Sequence, residues 1–195
     1  MGGAISVTTC SRCKLPAVVH QPYSGQHLCG KHLSDSIRRR TSKELRRQLV
    51  LPKDARKSDG SPYVVLVAVS GGKDSAVLLT MVKDIIGGRR DVRIVAGCVD
   101  EGIDGYRSPS LECARSLSEE LDIEFVTLSY EEMGYDRMDK VVSKIPAMGK
   151  LNDEADGMMP CSFCGVFRRQ SLNALADKVG ACLLYTSPSP RDSRK

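Results

Sequence analysis

The sequence predicts an α/β fold built on a doubly wound parallel sheet, with a small cysteine-rich module and a basic helix in front of it. From residue 63 onward, apolar segments suited to buried strands alternate with helical segments. A glycine turn joins the first of these strands to the first helix. The first 57 residues carry twelve Lys and Arg against three Asp and Glu, a net charge of +9, while the rest of the chain carries −4. Two differently charged parts are therefore joined in one chain.

The composition excludes several classes of protein. Of the 195 residues, 41% are hydrophobic and 27% are charged, which is typical of a folding chain rather than a disordered one. The longest apolar run, from Tyr63 to Val69, is too short to cross a bilayer, and Met1 to Thr9 lack the features of a signal peptide. We expect a cytoplasmic protein with no membrane contact. Its eight cysteines then indicate metal or redox chemistry rather than disulfides.

The first cysteines have the spacing of a zinc site. Cys10, Cys13, Cys29 and His32 form a C-x2-C-x15-C-x2-H pattern, in which two short chelating pairs bring four ligands into a tetrahedron. His27 and His20 are alternative ligands. The predicted fold is therefore a small zinc finger and a basic helix, followed by the parallel α/β sheet.

A basic helix is expected after the finger. Ser34 or Asp35 could cap a helix that runs toward Val50, with Ile37, Leu45 and Leu49 on its packing side. Its other side carries Arg38, Arg39, Arg40, Lys43, Arg46 and Arg47, and Lys53, Arg56 and Lys57 extend the positive stretch. This surface faces either solvent or the phosphates of a nucleic acid. Residues 58–62 then read as a linker.

A strand, a glycine turn and a helix follow in sequence. The strand ends near Ala68, the turn reads Ser70-Gly71-Gly72-Lys73-Asp74-Ser75, and a helical segment continues from Ala76. Glycines allow close approach of the backbone to a phosphate, and the N–H groups at a helix start hold an anion. Neither the Walker A pattern nor G-x-G-x-x-G fits this turn. An S-x-x-K reading lacks its companion motifs S-D-N and K-T-G.

Further strands are predicted at 92–99 and 123–128, and helices at 109–121, 136–144 and 166–179. Asp100 follows the second strand, at the carboxyl edge where such sheets bind ligands. Cys161 and Cys164 precede the last helix, whose start includes Arg168. Their spacing is compatible with a redox disulfide, half of a zinc site, or thiols serving sulfur transfer or an iron–sulfur cluster. Cys98, Cys113 and Cys182 are expected to be packing residues.

The turn from Ser70 to Ser75 resembles the PP-loop of the ATP pyrophosphatases, which cleave ATP between its α and β phosphates. The finger, this loop, the segment from Asp100 to Arg107 and the segment from Cys161 to Arg169 together resemble the TtuA and cytosolic thiouridylase group of tRNA 2-thiouridine synthetases. The likeness spans residues 10–184. It implies an adenine nucleotide alpha hydrolase-like sheet.

The resemblance implies ATP-dependent tRNA uridine 2-thiolation. ATP adenylates the C2 oxygen of a uridine, pyrophosphate leaves, and sulfur then displaces AMP. The resemblance implies that ATP binds together with Mg2+. The residues implied to contact the nucleotide are Ala68, Ser70, Gly71, Gly72, Lys73, Asp74, Ser75, Asp100 and Arg168. Cys161 and Cys164 become ligands of a [4Fe-4S] cluster, and Cys161 is also catalytic. Implied partners are tRNA, a ubiquitin-like thiocarboxylate sulfur carrier, and a second subunit in a homodimer or heterodimer.

The end of the chain departs from this resemblance. Related sequences continue with a Gly-His-Asn motif and a third cluster cysteine, whereas Tyr185 to Lys195 resemble a translated cloning adaptor or a disordered tail. We therefore expect a finger at 1–33, a basic helix and linker at 34–60, an incomplete PP-loop domain at 61–184 and a non-native or disordered tail at 185–195. Such a chain should bind zinc, and ATP weakly, but should neither complete a three-cysteine cluster nor thiolate tRNA.

Two alternative functions stay open. Thiolation of tRNA cytidine 32 uses a PP-loop and C-x2-C pairs, but that branch lacks a finger like Cys10 to His32. A non-catalytic, zinc-dependent RNA-binding fragment is the second alternative, and the intact loop and the Cys161–Cys164 pair argue against it. The sequence does not distinguish uridine 54 from wobble uridine 34 as the target.

Overall fold

The computed structural model describes residues 8–49, 56–105, 107–151 and 159–187. The chain divides into two compact units, one ending at Pro52 and one beginning at Lys53. Within the described ranges, no helix is both long enough and apolar enough to cross a membrane. Val50, toward which the predicted basic helix runs, and Lys53, part of the predicted positive stretch, lie outside these ranges.

The first unit is a short hairpin followed by a long helix. Strands β1 (Val19–Gln21) and β2 (Gln26–Leu28) pair antiparallel, and helix α1 spans Gly30–Gln48. Cys10, Leu28 and Cys29 form a small buried core. Because so small a cluster cannot stabilise a unit of this size by burial alone, a further constraint is needed.

Helix α1 begins earlier than expected. The predicted cap at Ser34 or Asp35 is wrong, since Cys29 occupies the N-cap position and makes no side-chain capping bond. The first helical turn therefore places His32 next to Cys29. Leu45 and Leu49 are buried as predicted, whereas Ile37 is 40% exposed and does not pack.

The second unit is a four-stranded parallel sheet with helices. Strands pair in the order β5-β4-β3-β6. The strands are β3 (Tyr63–Ala68), β4 (Val92–Asp100), β5 (Glu124–Ser129) and β6 (Ala181–Tyr185). The helices are α2 (Lys73–Ile86), α3 (Arg107–Glu120), α4 (Met138–Leu151) and α5 (Pro160–Lys178). The predicted α/β fold with a parallel sheet is confirmed.

The strand order places a ligand crevice at the end of β3. The chain moves from β3 outward to β4 and β5, then returns to the other side of β3 with β6. Ligands bind where the strand order of such a sheet reverses. Helix α5 lies close against the sheet here, because a Cβ on Gly97 would come within 2.9 Å of a Leu175 methyl.

Three expectations about the second unit are wrong. Helix α5 begins at Pro160 rather than Val166, so both cysteines of the second pair lie on the helix. Tyr185 pairs with Val67 in β6, because the apolar end of that strand extends the ladder, and residues 188–195 of the predicted tail lie outside the described ranges. Of the three cysteines expected to pack, Cys98 is buried, but Cys113 and Cys182 are exposed, because their positions on α3 and β6 face outward.

Candidate nucleotide and metal sites

The finger brings its four predicted ligands together. The ligand atoms of Cys10, Cys13, Cys29 and His32 all lie within 4.8 Å of one another. The Sγ atoms of Cys13 and Cys29 are 3.7 Å apart, and His32 Nδ1 lies 3.4 Å from the Cys29 Sγ. A tetrahedral zinc with bonds of about 2.3 Å to sulfur and about 2.0 Å to nitrogen needs separations of this size. The donor set and its spacing therefore fit Zn2+.

The alternative ligands lie elsewhere. His20 and His27 are cross-strand partners in the hairpin, with stacked rings 4.5 Å apart. Desolvation raises the pKa of the Cys10 thiol, but hydrogen bonds from the backbone N–H groups of Cys29 and Arg12 outweigh it and lower the pKa to about 6. A thiolate is the form that binds zinc, so the local backbone favours the ligating species.

The basic side of helix α1 is exposed. Arg38, Arg39, Arg40, Lys43, Arg46 and Arg47 all lie at the surface. Arg40 stacks over the Tyr23 ring, with 4.2 Å between the guanidinium carbon and the ring centroid. Arg47 is paired with Glu44 on the same helix. The remaining charges are presented along one surface, as phosphate binding requires.

The glycine turn is held by the buried side chain of Ser75. Its hydroxyl donates to the Gly72 carbonyl at 2.9 Å and accepts from the Ser70 N–H at 3.1 Å. No side chain caps helix α2. The N–H groups of its first turn are consequently available to an anion, and the exposed Lys73 and Asp74 lie on that turn.

Gly71 is required by the geometry of this turn. Its φ of +79° is in the left-handed region. A Cβ at this position would lie 2.2 Å from the Ser110 carbonyl oxygen, at the start of helix α3. Both the backbone conformation and the close approach therefore exclude a side chain.

A cavity of about 170 Å³ opens beside the turn, at the predicted crevice. Its lining comes from the ends of β3 and β4, from helix α5 and from the residues after β6: Ala68, Val69, Ser70, Ser75, Val99, Glu101, Arg168, Leu172, Thr186 and Ser187. Asp100 is not among them. It lines a neighbouring cavity with Tyr130 and Arg137, and its carboxylate accepts from the Gly102 N–H.

Arg168 connects this cavity to the second cysteine pair. Its guanidinium is paired with the buried carboxylate of Glu101 at 3.0 Å and donates to the Cys164 Sγ at 3.3 Å. Burial lowers the pKa of Arg168, but the adjacent Cys164 and Glu101 outweigh it and raise the pKa. The cation is therefore held in place between the cavity and a thiol.

Cys161 and Cys164 lie three residues apart in the first turn and a half of helix α5. Residues at this separation share one helix face. Cys161 is exposed and Cys164 is partly buried. Both lie at the N-terminal end of the helix, where Pro160 is tolerated at the first helical position.

Sequence reasoning missed Glu101 and Tyr130. Glu101 is only 4% exposed, and its position beside Asp100 at the end of β4 was the available signal. Tyr130 is 1% exposed, and its hydroxyl donates to the Cys164 carbonyl at 3.0 Å across 34 residues of sequence. Desolvation, and secondarily the Cys164 contact, raises the pKa of this phenol far above its ordinary value, so it stays protonated. No local pattern in the sequence indicates the contact.

Comparison with known proteins finds similarity to proteins named for uridine or tRNA 2-thiolation. Residues 9–34 match the family described as 2-thiouridine synthetase TtuA, N-terminal LIM domain. The chain is 38% identical over 177 residues to the tRNA 2-thiolation protein NcsA of Haloferax volcanii, covering 91% of this chain and 52% of that protein. It is 32% identical over 186 residues to the mouse cytoplasmic tRNA 2-thiolation protein 1, covering 94% of this chain and 41% of the mouse protein.

A solved structure is similar over nearly the whole chain. It is the U34-tRNA thiolase NcsA from Methanococcus maripaludis with its [4Fe-4S] cluster, with a TM-score of 0.70, 28% identity, and coverage of 94% of this chain and 55% of that one. The chain thus spans about half the length of the relatives it matches. The family match of the finger and the similarity of almost the whole chain to tRNA thiolation proteins agree, and the chain belongs to the PP-loop tRNA 2-thiouridine synthetase family.

Proposed function

We propose that this chain supplies the ATP-dependent activation step of tRNA uridine 2-thiolation, in the cytoplasm. One observation carries the proposal: Arg168 connects the cavity beside the anion-binding turn to the Cys164 sulfur. Ser70 and Ser75 line that cavity, and Arg168 both lines it and donates to the Cys164 sulfur. An activating nucleotide and a sulfur-handling thiol would thereby be neighbours.

ATP would lie with its phosphates on the glycine turn. The first N–H groups of α2 and the Lys73 ammonium would bind the β and γ phosphates, and Arg168 would reach the phosphate chain from the opposite wall. Mg2+ on the phosphates would offset their charge, with Asp74 as the nearest loop carboxylate. Ala68 and Val99, at the ends of β3 and β4, would contact the adenosine.

The reaction would proceed by two displacements. The C2 oxygen of the uridine attacks the α phosphorus of ATP, the bond to the bridging oxygen breaks, and pyrophosphate leaves. A sulfur nucleophile then adds to C2, and AMP departs with the former C2 oxygen. Adenylation is needed because an unactivated carbonyl oxygen is a poor leaving group. Gly71 and Ser75 would contribute to this step by shaping the turn that holds the β and γ phosphates until the bond breaks.

Cys161 and Cys164 would handle the sulfur, with Cys161 as the catalytic thiol. Their exposed and partly buried sulfurs on one helix face fit two ligand positions of an iron–sulfur cluster. Held by this pair and by a third ligand from outside it, a [4Fe-4S] cluster would supply an iron able to hold the incoming sulfur. A ubiquitin-like carrier with a terminal thiocarboxylate is the proposed sulfur donor, and a dimer is the proposed assembly.

The finger and helix α1 would bind the tRNA. Zinc stabilises the small first unit, and the exposed arginines and lysine of α1 form a surface suited to the RNA backbone. The similarity to a U34-tRNA thiolase supports wobble uridine 34 as the target.

The activation step can be measured without a sulfur donor. The purified chain is incubated with ATP labelled at the α phosphorus, Mg2+ and an unmodified tRNA transcript. We expect AMP and pyrophosphate to form only when tRNA is present, and Lys73→Met to lower the rate at least tenfold because it removes a phosphate contact. Formation of ADP and phosphate would refute cleavage between the α and β phosphates.

Two modified tRNAs serve as controls for the target. A tRNA that already carries 2-thiouridine at position 34 has no C2 oxygen there, and we expect it not to stimulate AMP formation. A tRNA thiolated at position 54 should stimulate it fully. The reverse pattern would assign position 54, and equal stimulation by both would contradict uridine activation.

The basic surface predicts a salt-dependent affinity for tRNA. Replacing Arg39 and Lys43 with glutamine should lower the slope of log affinity against log KCl by about 0.7–0.9 per residue, because each charge releases counterions from the phosphates. Fluorescence anisotropy of labelled tRNA at several KCl concentrations gives this slope. Arg47→Gln is the matched control, since Arg47 is already paired with Glu44 and should contribute less. An unchanged slope in the double variant would place the tRNA elsewhere.

A further inference from the structure

The Cys164 sulfur is held from two sides. The Arg168 guanidinium donates to it at 3.3 Å, and the Tyr130 phenol oxygen lies 3.5 Å away. The phenol proton is directed to the Cys164 carbonyl at 3.0 Å, so the phenol oxygen is free to accept from the thiol. A side chain with three staggered rotamers is thus restricted to the one beside Arg168.

Tyr130 is itself fixed by an aromatic cluster. Its ring meets Phe167 edge-on at 5.6 Å and Tyr135 at 6.2 Å, and Tyr135 stacks on Phe167 at 4.4 Å. Phe167 lies on helix α5 between Cys164 and Arg168 in sequence. The phenol oxygen therefore has a defined position relative to both ends of the Cys164–Arg168 contact.

The other side of the contact is fixed by a buried charge. Glu101, at the end of β4, is 4% exposed and accepts from both Nε and a terminal nitrogen of Arg168. Arg168 and Glu101 line the nucleotide cavity. Movement of Arg168 is limited by an ion pair that water only partly screens.

We propose that Tyr130 is a positioning residue, which holds the Cys164 sulfur against Arg168 and thereby beside the nucleotide cavity. This inference rests on the proposed function for its role in sulfur transfer, but the contact itself does not. Tyr130 touches no reacting atom and acts through Cys164. Its hydroxyl, rather than its ring, carries the role.

Alkylation of the two thiols tests the proposal. The zinc-loaded chain, prepared without iron, is treated with limiting iodoacetamide, and the rates at Cys164 and Cys161 are obtained by mass spectrometry. The exposed Cys161 is the internal reference. We expect Tyr130→Phe to raise the ratio of the Cys164 rate to the Cys161 rate at least threefold, because the sulfur loses its acceptor and gains rotamers.

Tyr135→Phe is the matched control. It removes a hydroxyl from the same aromatic cluster, but that hydroxyl donates to Gln170 at 2.6 Å and not to Cys164. We expect its ratio to equal that of the unaltered chain. An unchanged ratio in Tyr130→Phe, or an equal rise in both variants, would overturn the proposal. An unfolded Tyr130→Phe chain would also overturn it, since the hydroxyl would then be a structural requirement of the core. The measurement uses no ATP or tRNA, so its failure is distinguishable from failure of the adenylation test.

Discussion

Replacing Gly71 with alanine is expected to destabilise the second unit by at least about 3 kcal/mol and to lower ATP affinity more than tenfold. A left-handed backbone costs a residue with a Cβ about 1–2 kcal/mol. The added methyl would also lie 2.2 Å from the Ser110 carbonyl oxygen, so the turn or the start of α3 must move. Urea unfolding followed by circular dichroism, and ATP binding by calorimetry, give the two quantities.

Two further glycines separate the causes. Gly134 has a φ of +77°, and a Cβ added there would meet no atom within 4 Å, so Gly134→Ala should lose only the backbone contribution of about 1–2 kcal/mol. Gly72 has a φ of −88° and only Ser70 Oγ at 3.4 Å, so Gly72→Ala should cost about 1 kcal/mol or less. Equal losses in Gly71→Ala and Gly134→Ala would show that the approach to Ser110 is unimportant.

Replacing Cys29 with serine should abolish the fold of the first unit. Cys29 is buried, provides a sulfur 3.7 Å from that of Cys13, and occupies the N-cap of α1. Structural zinc contributes about 10–16 kcal/mol of apparent binding free energy to domains of this kind, far more than the small core can replace. We expect zinc affinity to fall by more than about 100-fold, since even the loss of a residue that only supports a ligand costs about 10–100-fold.

Zinc content after dialysis against a graded series of chelator concentrations measures this effect, and amide hydrogen exchange in α1 reports the fold. His27→Gln is the control, because His27 stacks on His20 and lies outside the ligand group. It should retain one zinc per chain. If Cys29→Ser retained zinc as firmly as His27→Gln, the assignment of Cys29 as a ligand would be wrong.

Features encoded by neighbouring residues were predicted well. Each chelating pair of the finger spans four residues, and the glycine turn lies between a strand and a helix that are contiguous with it. Local geometry alone brings such groups close together, so the sequence predicts them without knowledge of the fold. The same holds for β3, β4 and β5, whose apolar runs indicate burial wherever they pack.

Element boundaries and distant contacts were predicted poorly. The helix start at Gly30 follows from the finger, because the Cys29–His32 pair needs a helical turn, and this effect outweighs the capping preference of Ser34 or Asp35. Cys113 and Cys182 were expected to pack, yet exposure depends on which side of an element meets a neighbour. Tyr185 joined β6 because β3 offered it a partner strand.

The sequence by itself determined the ligand set of the finger, the anion-binding turn and the parallel α/β architecture, since each depends on spacing within a short segment. Only the tertiary structure decided that Tyr130 and Arg168 contact Cys164 and that Glu101 holds Arg168 beside the turn. These residues come from β4, the end of β5 and α5, up to 67 positions apart. Their meeting depends on the order of the strands and on the packing of α5, and no local pattern records either.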